Sequence, residues 1–351
     1  MHPSALDAKP EASREMQEFY QRLHNRNAAP LWEVLADLVP PEPKTRVAPA
    51  IWRYDELRPL VIESGGLITA REAERRVIVL ENPGLAGISQ ITQSLYAGVQ
   101  LVLPGETAPT HRHTASALRF VIESQGGYTS VDGERTTMCP GDFIVTPSWT
   151  FHDHGNPGNG PVVWMDVLDI PFVNMLDAGF SEHYEADGTQ PVTKREGDSL
   201  ARFGSNLMPV DYLPERQATP IFSYPYARSR ETLDWMYRNS PLDAWHGVKM
   251  RFVNPSTGGS PLPTIATFIQ LLPAGFRGSP YRSTDATIFC VVEGAGRSQI
   301  GKTSLTWKQH DIFVAPSWMP VSHEATSETV LFSASDRPVQ QMLSLWREQK
   351  T

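Results

Sequence analysis

Residues 111–113 read His-Arg-His, and a second pair of imidazoles follows at His152 and His154. Alternate residues of a β-strand project to one face, so His111 and His113 point together. His152, on a later strand, can close a facial triangle with them around an ion. Imidazole suits iron, zinc, copper and nickel alike, so ligand type by itself leaves the metal open. Any one of these histidines taken singly reads as a solvated or hydrogen-bonded side chain. Three protein ligands on an octahedral ion leave three positions open, enough for a chelating substrate and one further small molecule. A three-histidine zinc hydrolase is the rival chemistry for the same ligands.

Neutral ligands leave a divalent ion its full charge, so the site should attract an anionic chelator such as an ortho-hydroxybenzoate. Cations that could help hold a carboxylate lie in the stretch REAERR, as Arg71, Arg75 and Arg76, with alternation setting Arg75 and Arg76 on opposite faces. Arg119 interrupts the apolar run ALRFVIE on the histidine face, either in the site or in an ion pair inside a barrel. Asp166 and Asp169 follow His152 in WMDVLDIPF, and either could orient an imidazole or an arginine; Asp166 is favoured. His154 shares the face of His152 and is read as an acid or base beside the metal, with a structural role as the alternative.

These residues need strands to position them, and the strand texture occurs twice. VLENPGLAG returns as RFVNPSTGG, QLVLPGE as QLLPAG, LRFVIESQGG as IFCVVEGAG, and GDFIVTPSWTFHDH as HDIFVAPSWMPVSH. Four matches in one order read as two copies of a β-domain built as a sandwich or barrel. His111 and His113 fall opposite Tyr281 and Ser283, and His152 opposite Val321. The three imidazoles thus vanish together from the second copy while the strands persist, which residues kept for packing have no reason to do. His154 is different, because His323 occupies its place in the second copy.

The doubled β-domain, with PGETAPTHRH opening and GDFIVTPSWTFHDH closing its first copy, resembles a cupin. The chain resembles the bicupin ring-cleaving dioxygenases typified by gentisate 1,2-dioxygenase, from PLWEVL to FSASDRPV. Many cupins add a glutamate shortly after the histidine pair, where this chain has Ala117 and Leu118, so three imidazoles form the whole ligand set, as in that dioxygenase family. The resemblance implies an all-β fold of two tandem cupin (double-stranded β-helix, jelly-roll) barrels with an N-terminal helical arm. It also implies one Fe(II) per subunit in the first barrel, and cleavage of gentisate by dioxygen to maleylpyruvate. Arg71, Arg75, Gln100 and Tyr96 match the family's pocket positions. Salicylate or 1-hydroxy-2-naphthoate could chelate in the same way, and a metal-binding cupin without turnover is a further alternative. Family members are commonly homotetramers, for which the arm is a natural interface.

The expected layout is a helical arm over 1–46, the metal-binding barrel over 47–185, a linking or covering segment over 186–245, the second barrel over 246–340 and a C-terminal helix over 341–351. In 351 residues, 40% hydrophobic and 20% charged, there is ample material for such cores. A net charge of −8 argues against nucleic acid or an anionic membrane as partner. Cys139 and Cys290 form neither a disulfide framework nor a thiolate site, and neither a membrane span nor a signal peptide is read, so the expected compartment is the cytoplasm.

Overall fold

The computed structural model describes residues 13–184 and 188–350. It divides into two compact units, the first ending at Lys44. In that first unit, helix Arg14–His24 begins where the Ser13 hydroxyl accepts the Met16 N–H, and it carries Glu15 in its first turn and Arg22 in its last, complementing its dipole. Helix Leu31–Leu38 follows, with Trp32 donating to the Tyr20 hydroxyl at 2.9 Å. Neither helix buries a residue.

From Thr45 onward the chain forms two β-barrels, each a six-stranded sheet with a five-stranded one. In the first barrel, the six-stranded sheet centres on Ala117–Glu123, flanked by Phe143–Thr146 and Val162–Leu168. Its strands are nearly continuous apolar runs, buried on both faces. One face lines the barrel. The other meets the matching sheet of the second barrel, where Phe120 stacks on Phe332 with ring centroids 4.3 Å apart. The five-stranded sheet carries Thr107–His113 and His152–Gly155 side by side.

The repeat is exact enough in register to be followed pair by pair. Tyr281 lies opposite Val321 as His111 lies opposite His152. Arg112 and Arg282 each lie over a tryptophan, at 4.5 and 4.4 Å, and those tryptophans, Trp149 and Trp318, both adopt left-handed φ values of 57° and 62°.

Two placements differ from the expected layout. Ala50–Trp52, inside the range read as the first barrel, hydrogen-bonds to Ile312–Ala315 of the second. Ser223–Tyr224, in the range read as a linker, pairs with Phe143–Thr146 of the first. Each barrel therefore closes one edge with a strand drawn from the chain preceding the other. The following helices lock this exchange alike: Tyr54 N–H donates to Asp311 and its hydroxyl to Glu123, while Tyr226 N–H donates to Asp142 and its hydroxyl to Glu293. Strands of two or three residues carry no readable period, so only the unpaired edges of the finished sheets call for them.

The expected C-terminal helix over 341–351 is also corrected. Helix Arg337–Met342 ends early and Glu348–Lys350 is a strand on Tyr281–Ser283. It serves that edge as Ser181–His183 serves Thr107–His113, and backbone pairing there outweighs the weak helical preference of LSLWREQK.

Candidate metal centre

Strand alternation delivers His111 and His113 to the barrel interior while Arg112 points outward to an ion pair with Glu182 at 2.5 Å. Cross-strand pairing sets His152 directly opposite His111. The three imidazoles each offer a nitrogen within 4.8 Å of the others, the one such group of metal-capable side chains among the described residues. His113 Nδ1 is 2.7 Å from the Ala115 carbonyl and His152 Nδ1 is 2.9 Å from that of Thr150. A carbonyl only accepts, so both rings carry their proton on Nδ1 and keep the Nε2 lone pair for a metal. Burial, helped by the charge of Arg75, pulls the His111 pKa down to about 2; burial likewise pulls His113 to about 4 and His152 well below its ordinary value. All three are neutral at physiological pH, the form a metal needs.

Around the triangle the structure gathers most of the polar residues expected there. Arg75 brings Nη2 to 3.3 Å from His111 Nε2 and anchors on the carbonyls of Glu74 and Pro109. Arg76, on the opposite face, is buried in a bidentate pair with Glu106, a structural contact. Arg119 is 3% exposed; it donates to the Thr146 hydroxyl at 2.5 Å and holds Nε 3.6 Å from Asp166. Asp166 thus orients an arginine rather than an imidazole. Asp169 instead accepts from the Ser116 amide and the Thr264 hydroxyl, tying the two barrels together.

Gln100 is buried with its amide nitrogen unpartnered. Tyr96 shares its strand face, and the two flank Gly98, where an added Cβ would strike Val77 and sit 3.0 Å from the Tyr96 hydroxyl. Arg71 remains exposed on the turn leading to Arg75. His154 is fully buried; its Nδ1 meets the Thr129 hydroxyl at 2.9 Å, its ring lies 5.9 Å from that of His152, and its Nε2 has no partner.

Thr146, Thr129 and His183 stand near the site as well, apart from the residues that the spacing marks. Thr146 had a signal, since VTPSW becomes VAPSW in the second copy and the hydroxyl is lost with the arginine it holds. Thr129, matched by Ser298 against His323 at 2.7 Å, lies in a strand the repeat motifs do not cover. His183 pairs opposite His111 from a three-residue strand, which no pattern marks.

No helix among the described residues is long and apolar enough to cross a membrane. Residues 98–168 match the family model described as a cupin domain. The chain is 54% identical to gentisate 1,2-dioxygenase 1 of Aquipseudomonas alcaligenes, over 97% of this chain and 98% of that one. It is 34% identical to the 5-aminosalicylate 1,2-dioxygenase of a Comamonas species, over 98% and 92% respectively. Among solved structures, salicylate 1,2-dioxygenase from Pseudoaminobacter salicylatoxidans with gentisate bound superposes with a TM-score of 0.92 at 34% identity, covering 98% of this chain and 96% of that one.

Proposed function

The chain belongs to the gentisate 1,2-dioxygenase family and is a ring-cleaving dioxygenase, and on that premise we propose that its first barrel opens the ring of gentisate with dioxygen to give maleylpyruvate. The observation that carries this reading is the convergence of three neutral imidazoles with the half-buried Arg75 and the buried Arg119 in one barrel. Both oxygen atoms enter the product, so the reaction needs no external reductant.

His111, His113 and His152 would hold one Fe(II), which supplies sites for the substrate's carboxylate and 2-hydroxyl and for dioxygen, and a route for electrons from ring to oxygen. Arg75, beside His111, is placed to pair with the substrate carboxylate. Burial and the neighbouring Arg119 lower the Arg75 pKa to about 9, so it remains charged for that task. Arg119, held by Thr146 and Asp166, adds a second fixed charge that needs no reorganisation when the anion arrives. Gln100 and Tyr96 offer an amide and a hydroxyl along the same wall, and Arg71 stands at the outer turn. The unpartnered Nε2 of His154 can take or return a proton at the 5-hydroxyl, opposite the 2-hydroxyl on the ring. The exposed apolar side chains Leu31, Trp32, Leu35 and Leu38 suit the arm to a homotetramer interface, in a cytoplasmic enzyme.

Oxygen uptake by the Fe(II)-loaded protein, followed together with the absorbance of the ring-opened product, tests the reading. Gentisate should be consumed faster than salicylate or 1-hydroxy-2-naphthoate. No uptake with any of the three by a fully loaded protein would reduce the site to a metal-binding cupin.

A further inference from the structure

The second barrel keeps a cavity where the first holds its imidazoles. Tyr281 and Ser283 line it at the positions of His111 and His113, and Val321 at that of His152. Its volume of about 20 Å³ is room for one or two water-sized occupants.

Three charged side chains line this space: Lys249, Arg337 and Asp285. Asp285 is buried and fully engaged, accepting from Arg337 Nε at 3.1 Å and from Trp346 Nε1 at 2.8 Å. The Lys249 ammonium has no hydrogen bond and no carboxylate within 4.0 Å among the described residues; it lies 4.9 Å from the Phe268 ring centroid. His246 and His323 also face the cavity, and burial holds both neutral, near pKa 2 and 3. Asp243, farther out, pairs with Lys350, and Glu348 accepts the Tyr281 hydroxyl. Among the described residues Asp285 is the one carboxylate lining the cavity beside these two cations, and Glu348 reaches Arg337 only through the Tyr281 hydroxyl. Burial, then the charge of Arg337, pulls the Lys249 pKa to about 8, so the ammonium persists at neutral pH.

Neither cation comes from the shared barrel plan. Lys249 lies opposite Gln270 as Val77 lies opposite Gln100, and Arg337 follows the helix-capping Asp336 as Ile170 follows Asp169. Two apolar positions of the first barrel have become cations in the copy that lacks the imidazoles. Lys249 and Arg337, two cations that face one cavity, favour an anion between them. We propose that the second barrel binds one compact monoanion, a halide or the carboxylate of an acid as small as formate, between the Lys249 ammonium and the Arg337 guanidinium. This assignment is independent of the iron chemistry of the first barrel.

Thermal unfolding of the iron-loaded enzyme in chloride, bromide or formate, against gluconate at fixed ionic strength, tests it. Wild type should show saturable stabilisation, with Tm rising roughly 2 °C or more once the anion exceeds about ten times its Kd. Lys249→Met should fold, retain gentisate turnover and lose that response. Crystals grown in bromide should show anomalous density beside Lys249 Nζ. A halide response without a formate response keeps the site and restricts it to spherical ions. An identical anion response in wild type and Lys249→Met, or bromide found only elsewhere, overturns the proposal.

Discussion

Arg119 and Asp166 face each other across neighbouring strands, Nε 3.6 Å from Oδ1, with both side chains almost wholly buried. At the same register the second barrel has Phe289 and Ser333, so this pair belongs to the barrel that holds the histidines. Burial, only partly offset by Arg119, raises the Asp166 pKa to about 6. Asp166→Ala would strand a buried guanidinium, which typically costs about 3–5 kcal/mol of stability. Denaturant unfolding should record that loss, and steady-state kinetics a raised KM for gentisate. Arg119→Lys should not restore a low KM, because one ammonium cannot reproduce the fork that reaches both Thr146 and Asp166. Unchanged stability and KM in both variants would remove the pair from the site.

Replacing His111, His113 or His152 by Ala should abolish iron binding and turnover while leaving the fold intact, since sheet register and the inter-barrel core do not depend on these rings. Metal analysis beside circular dichroism checks this. One equivalent of iron retained by any of the three variants excludes that residue as a ligand. His323→Ala should keep its iron.

His154 and His323 share a hydroxyl anchor, Thr129 in one copy and Ser298 in the other, so part of their role is structural in both. Only the His154 ring lies beside the metal triangle, 5.9 Å from His152. His154→Ala should therefore retain iron and lower kcat on the order of a hundredfold or more, the scale of a lost general acid or base. His323→Ala should lower Tm with turnover kept. Unchanged kcat in His154→Ala, with a drop in Tm matching that of His323→Ala, would assign both to scaffold.

Asp336 gives a pH dependence whose sign runs opposite to that of a salt-bridged acid. Burial, foremost, raises its pKa to about 6, although Ser94 and Gln340 donate to it. An acid with a raised folded-state pKa takes up a proton on folding, so its contribution is full below about pH 4 and drains away as pH rises through about 6. Measured against Asp336→Asn, wild type should lose relative stability across that window and level off above about pH 7. A difference in Tm that stays flat from acid to neutral pH would refute the assignment.

Much of this molecule is written in local patterns. The two barrels, the metal triangle and the co-loss of its members follow from strand alternation and from comparing the two copies, because period-two strands and repeated motifs are properties of contiguous residues. That Arg75 and Arg76 part to opposite faces is likewise written in alternation, but that Arg75 is the one beside His111 is implied by the family resemblance and not by the pattern. Other features depend on partners distant in the chain. Whether Asp166 or Asp169 serves the site turns on which one the folded sheet sets opposite Arg119, and Thr129, anchor of His154, is found only once its strand is paired. The exchanged strands Ala50–Trp52 and Ser223–Tyr224, and the terminal strand Glu348–Lys350, are too short to carry a period of their own. Their conformation is dictated by the unpaired backbone of a sheet edge that does not exist until the barrels have formed, so the tertiary structure alone decides it.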